Sequence, residues 1–418
     1  MINAVAGSSI GDTLRAARLA RGWTQAEAGA RSGYSASAIS RIERGRPVDI
    51  ATLRRLADCY GIPPHQLGLA TAPEQTESIE ESGEDVQRRQ FLATAGLTVP
   101  AWVLTRLDDA LAALPEPTRP PTLGAVTTRL ATARRLFDTG NHTQLVAELP
   151  DLLAAAHHLA ETGGPAQAAT VAACYELATH ALNKIGHYPA SRLTADRATT
   201  YARLSGSATA VALSARALSI VLRHEGRPHV AQRVNLAALG ELETAGLATP
   251  TERTVFVQML CSTAYAAAQA GDKDGALELA GEADRAVRGL PARPAQPATP
   301  VNATALTPAQ VQLYKVGMFW ALGDSAAALD AARGLAAAQF PTPERRARLH
   351  TDIARAWWQH GRPEHTAHAL LAAHRQAAAE VTDRPSIRRI ALDLVDRHPQ
   401  ATGARELRAI LRPRPHGL

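Results

Sequence analysis

The stretch Thr24–Arg46, TQAEAGARSGYSASAISRIERGR, decides how the rest of the chain is read. Thr24 followed three residues later by Glu27 is the capping-box pattern that opens a helix. Gly33 supplies the residue that closes it. Ser35 caps a second short helix, Ser37–Arg44, which stops at Gly45 and Pro47. Helix, three-residue glycine turn, helix is the geometry that presents its second helix to a DNA major groove. Arg31, Arg41, Arg44 and Arg46 all fall within this stretch.

Working outward, Ile10, Leu14, Ala17 and Arg18 mark a preceding helix that stops near Gly22. Ile50, Leu53, Leu56 and Ala57 repeat at i, i+3, i+6, i+7 and mark a following one. PPHQLGL (Pro63–Leu69) adds a last turn, so residues 1–70 read as a five-helix domain. The segments LRAARLARGWTQAE, ISRIERGR and LRRLADCYGI, with the turn glycine between them, fall in register with one known pattern. Over residues 10–69 the chain resembles the phage-repressor/Cro-like (Xre) helix-turn-helix family.

That resemblance implies double-stranded DNA as partner, a palindromic operator and a homodimer. It also implies that Gln25, opening the second helix, bonds a phosphate, and that Arg18 and Glu43 form a buried ion pair. Ser35 stands at the head of the recognition helix. Ala36, Ser37 and Arg41 take the base-reading positions, with Ser40 beside them. Arginine bonding O6 and N7 of guanine is worth roughly 1–3 kcal/mol of discrimination. Arg44 and Arg46, at the helix end, suit phosphates, which position without specifying. Two residues depart from the family: Ala28 stands where leucine is usual and Gly29 where alanine is usual. Both are expected to weaken the module, by roughly 1 kcal/mol or more.

Charge follows the same division. Residues 1–70 carry nine arginines against five acids, and residues 71–87 carry six acids and no base. A basic module on an acidic linker suits phosphate contact. Of the 45 basic residues only Lys184, Lys273 and Lys315 are lysines, a skew that reads as coding bias. Alanine, leucine and arginine dominate the remainder, which favours helix throughout. Cys59, Cys174 and Cys261 are too scattered for a disulfide framework or a zinc site, so a reducing cytoplasm, with the protein on the nucleoid, is expected. No apolar run approaches the roughly 20 residues of a membrane span. RRQFLATAGLTVPA (Arg88–Ala101) looks like a twin-arginine export signal, but it follows a complete module and reads as a helix opening the second domain.

Residues 88–418 carry a recurring joint: NKIGHYPASRL, RHEGRPHVAQR, AQAGDKDGALE, ALGDSAAALDA and QHGRPEHTAHA. Each ends a helix on glycine (Gly186, Gly226, Gly271, Gly323, Gly361) and starts another two or three residues later. Alanine recurs five positions on at Ala231, Ala276 and Ala328. It recurs twelve on at Ala198, Ala238, Ala283 and Ala373, where small residues let paired helices approach. Interruptions fall at LPEPTRPP (Leu114–Pro121) and in a proline-rich loop at 290–308. Over about Ala166–Leu411 this resembles a tetratricopeptide-like array with lengthened helices, an α-solenoid with an extended concave surface. In that register Glu176, His180, Asn183, Arg216, Arg223, Gln258, Tyr265, Trp320, Arg355 and Trp358 face inward. Such a mixture suits an anionic or peptide ligand.

Signatures of catalysis are missing. HEGRPH (His224–His229) is one residue too long for a zincin motif and crosses a glycine turn. His365 and His368 beside Glu364 read as surface residues. No GKS/T loop, GxGxxG or GxSxG is present, so neither enzyme activity, nor a cofactor, nor a metal is expected. The whole organisation is similar to tetratricopeptide-containing Xre regulators, which implies an all-α protein binding a signalling peptide or small-molecule effector. A protein-interaction adaptor or antitoxin-like scaffold remains the alternative, and a hydrolase acting through the array a second.

Overall fold

The reciprocal cap at Thr24 is formed: its hydroxyl accepts from the Glu27 amide, and the Glu27 carboxylate accepts from the Thr24 amide at 2.7 Å. The helix it opens is one of four among the described residues of the N-terminal unit. The computed structural model of the protein describes residues 10–44, 50–62, 99–117, 120–161, 163–291 and 306–412. They divide into two units, residues 1–82 and 83–418. Several expectations therefore lie outside the described residues: Arg46, the Pro63–Leu69 turn, the linker 71–87, the opening of the Arg88–Ala101 segment and most of the proline-rich loop. Among the described residues there is no strand.

In the first unit α1 (Ile10–Ala20), α2 (Gln25–Ser32), α3 (Ala36–Glu43) and α4 (Ile50–Tyr60) enclose a small core. Leu14, Ala28, Ile39, Leu56 and Tyr60 are at most 1 % exposed, so all four helices contribute to one cluster. Gly33 takes φ +78° between α2 and α3, a backbone state that favours glycine. Trp23 closes one side, edge-on to Tyr60 at 5.8 Å with the Arg31 guanidinium over its face.

The second unit contains α5 (Ala101–Ala112), α6 (Leu123–Asp138), α7 (His142–Glu161), α8 (Pro165–Ile185), α9 (Tyr188–Leu204), α10 (Ala208–His224), α11 (Pro228–Thr244), α12 (Pro250–Gln269), α13 (Lys273–Ala286), α14 (Pro308–Ala321), α15 (Ser325–Ala332), α16 (Pro343–Gln359), α17 (Pro363–Gln376), α18 (Ala379–Thr382), α19 (Pro385–Arg397) and α20 (Ala404–Leu411). All five expected joints are helical hairpins, and every joint glycine has φ between +71° and +81°. The alanines behave as the spacing requires: Ala198, Ala231, Ala276, Ala283, Ala328 and Ala373 are fully buried. A sixth hairpin, α6–α7, turns on Gly140 with φ +76°. It carries Leu145 and Leu152 where the later joints have alanine at five and twelve.

The first helices of successive hairpins pack on one another in the order α6, α8, α10, α12, α14, α16, and α16 packs back on α6. The inner layer is therefore a closed ring of six helices. This corrects the expectation of an extended concave surface. The physical cause lies at the two ends of the array, which carry matching groups. The Lys184 ammonium on α8 donates to Glu344 on α16 at 2.6 Å and to Glu380 on α18. His142 Nδ1 meets the Asp383 carboxylate at 3.4 Å, and Gly140 leaves room for Ala377.

Candidate functional site

The recognition helix α3 is amphipathic in a way that fixes which residues face outward. Ile39 and Ile42 are buried, and Glu43 is 8 % exposed. Ala36, Ser37, Ser40, Arg41 and Arg44 recur at i, i+1, i+4, i+5, i+8 and share the opposite face. All are exposed except Ser40, which is half-buried. Ser35 is the N-cap, its hydroxyl accepting from the Ala38 amide at 3.2 Å. The Arg41 Nε donates to the Ser37 carbonyl and the Arg44 Nε to the Ser40 carbonyl, both at 3.2 Å. These bonds lay each side chain along its own helix and leave the terminal guanidinium nitrogens as the groups presented outward.

Behind that face, α3 is tied to α1 by a two-pronged ion pair. Arg18 Nε and a terminal nitrogen donate to the two Glu43 oxygens at 2.5 and 3.0 Å, and the other terminal nitrogen donates to the Trp23 carbonyl at 2.7 Å. Burial opposes the charge on Glu43, but the bonds from Arg18 and Gln25 outweigh it and hold the carboxyl below its ordinary range. Gln25, expected to reach a phosphate, spends one amide N–H on Glu43 at 3.0 Å. Its amide has a second N–H to offer, and the bond to Glu43 aims it.

Gly29 also differs from expectation. A Cβ there would collide with the Tyr34 carbonyl oxygen and come within 3.2 Å of the Ser35 carbonyl carbon. The α2–α3 turn runs directly over this residue, so glycine answers a steric demand rather than being only a weak helix former. Gly29→Ala is expected to destabilise the first unit by roughly 1–3 kcal/mol, because overpacking outweighs the gain of about 1 kcal/mol in helix propensity. Urea unfolding followed by Trp23 fluorescence, the other tryptophans being replaced by phenylalanine, checks it. A stabilised variant would show that the turn moves aside.

In the second unit the ring of inner helices surrounds a partly open cavity of about 130 Å³. Six of the ten expected inward residues line it: His180, Asn183, Arg216, Arg223, Gln258 and Tyr265. The other four are placed elsewhere. Glu176 is buried and accepts from the Ser214 hydroxyl at 2.7 Å. Arg355 lies over Trp320 at 4.8 Å and donates to Ser386 at 2.8 Å, at the cavity's border. Trp358, three residues further along α16, is turned to the C-terminal core and packs edge-on to His398. Sequence reasoning missed the other charged groups and the Tyr314 hydroxyl in the lining: Arg134, Lys184, Tyr314, Glu344, Arg345, Arg348 and Arg384. The glycine joint at Gly140 was the available signal for the first of these.

The cavity is cationic. Arg348 pairs with Asp352 at 2.7 Å, Arg384 with Glu380 at 3.0 Å, Arg134 with Asp138 at 3.4 Å and Arg345 with Glu344 at 3.3 Å. Arg216 and Arg223 have no ion pair among the described residues. Arg216 donates to His180 Nε2 and to the Tyr314 hydroxyl, both at 3.3 Å; Arg223 reaches only the Gln269 amide oxygen at 3.3 Å and the face of Tyr265 at 4.5 Å. Burial and then Arg216 push His180 well below its usual range, so its ring is neutral and accepts from the guanidinium. Burial raises the Tyr314 hydroxyl, yet Arg216 and Arg345 outweigh it and the net shift is downward. The field inside the ring therefore favours negative charge.

Among the described residues no cluster of three or more His, Cys, Asp or Glu is placed to hold a metal. Nor is any helix there long and apolar enough to cross a membrane. Searching the curated proteins returns no match. The family model described as a helix-turn-helix domain matches residues 9–69, the segment in which α2, the Gly33 turn and α3 were found. Residues 9–69 are a helix-turn-helix domain, which supports DNA binding by the first unit.

Proposed function

We propose that the protein is a sequence-specific transcriptional regulator of the Xre/Cro-like kind. It acts as a homodimer on a palindromic operator, in the cytoplasm at the nucleoid, and has no catalytic role. The second unit, a tetratricopeptide-like array, dimerises the protein and binds a signalling peptide or small-molecule effector, which resets the spacing of the two DNA-binding domains. The observation that carries the reading is the outward face of α3. It offers Ser37, Ser40, Arg41 and Arg44 together on a helix held from behind by the Arg18–Glu43 pair. Dimerisation is supported by apolar side chains on the outside of the second unit: Trp102 is 66 % and Leu204 65 % exposed. An effector can act only by binding one spacing better than the other.

The test is an operator selected from random duplexes by the full chain. Arg41→Ala is expected to weaken binding to it by roughly 1–3 kcal/mol and to leave binding to random DNA nearly unchanged. Equal losses on both would make Arg41 a phosphate contact. Failure to enrich any sequence would remove the regulatory reading.

A further inference from the structure

The cavity holds polar groups that no described residue bonds. Asn183 on α8 is 9 % exposed and Gln258 on α12 is 2 % exposed, and both line the cavity. Among the described residues, neither side-chain polar atom of Asn183 has a hydrogen-bond partner, and the Gln258 oxygen has none. On α10 the Nε atoms of Arg216 and Arg223 are likewise without partners among the described residues. Buried polar groups are normally satisfied, and a buried cation without a counter-charge is costly. Arg216 and Arg223 are two turns apart on one face of α10, about 10 Å along the axis. Three helices thus direct unsatisfied donors and acceptors into one space: α8 with Asn183, α10 with the two arginines and α12 with Gln258.

We propose that this cavity binds a small organic anion, whose carboxylate or phosphate groups pair with Arg216 and Arg223 while Asn183 bonds a neutral polar group beside them. Tyr265 and Tyr314 form the walls against which the uncharged part of the molecule packs. The inference rests on the effector role given to the second unit above and names the chemistry of that effector. An anion supplies the counter-charge that the described residues do not. It also converts the unsatisfied Nε–H groups into charge-assisted hydrogen bonds, the strong class. Asn183 offers donor and acceptor together, so it selects a group with both, such as an amide or a hydroxyl.

The experiment uses the full chain and two probes, inorganic pyrophosphate and adipate, which separate phosphate from carboxylate ligands. Sodium chloride at matched ionic strength and putrescine serve as controls. At about a hundred times its dissociation constant, the preferred probe is expected to raise the unfolding midpoint of the second unit by about 4 °C. Hydrogen exchange should slow in α8, α10 and α12, which distinguishes this site from phosphate held by the DNA-binding unit. The double variant Arg216→Met/Arg223→Met is expected to lose the probe-induced rise. Without a probe it should unfold at the wild-type midpoint or above, since two half-buried cations without an ion pair among the described residues are gone. Arg333→Gln, at an exposed arginine paired with Asp330, should keep the full rise. The proposal is overturned if neither anion stabilises the wild-type chain beyond chloride, or if the double variant keeps the rise. The wild-type arm decides even if the variant fails to fold. An anion that binds through these arginines without altering operator affinity upholds the site and removes the effector role.

Discussion

Lys184→Met is expected to destabilise the second unit by about 3 kcal/mol and to open the ring at one seam. Lys184 joins α8 to both Glu344 and Glu380, whose side chains are 3 % and 0 % exposed, across 160 and 196 residues of sequence. Methionine fills a similar volume but leaves two buried carboxylates short of a cation. Each keeps one arginine, Arg345 for Glu344 and Arg384 for Glu380, which places the loss at the lower end of the range for a broken buried pair. Loss of hydrogen-exchange protection should concentrate in α6, α8, α16 and α18, leaving α10 to α14 near wild type. The triple variant Lys184→Met/Glu344→Gln/Glu380→Gln should recover part of the stability, because it removes the stranded charges together with their partner. A single-variant loss under about 0.5 kcal/mol, the scale of an ordinary surface substitution, would show that helix packing alone closes the ring.

That closure marks where sequence reading stopped. The joints at Gly186, Gly226, Gly271, Gly323 and Gly361 were legible because a left-handed cap and a close helix pair each demand a particular residue type. So was the capping box at Thr24. The seam was not, since a lone lysine has no periodicity and its partners lie far along the chain. Gly140 was missed for a related reason: leucines occupy Leu145 and Leu152, so the alanine offset that identified the other joints is absent. Facing on the inner helices was legible to about a turn. His180, Asn183, Arg216, Arg223, Gln258 and Tyr265 follow the register, whereas Trp358 turns away because α16 also packs on α19 and the C-terminal core. Gly29 shows the converse error. Propensity describes a helix by itself, and the cost of a Cβ there comes from a neighbouring turn.

Glu43→Ala should abolish DNA binding without touching the recognition face. Glu43 is the only carboxylate that the Arg18 guanidinium meets among the described residues. Its removal leaves that buried cation with the Trp23 carbonyl alone. Breaking such a pair costs about 3–5 kcal/mol, comparable to the whole stability of a domain this small. The first unit is expected to be largely unfolded in the variant, while the second keeps its wild-type midpoint; Trp23 fluorescence and operator binding report the two halves of that statement. Arg18→Met/Glu43→Leu separates folding from recognition. An apolar pair of similar volume should restore the fold. Gln25, however, loses the acceptor that aims its amide. Binding to operator and to random DNA should then fall together, by about 1 kcal/mol, as for a lost phosphate contact. Full affinity in the refolded double variant would mean that Gln25 finds the phosphate unaided. A loss confined to the operator would mean that Glu43 acts through the reading face of α3.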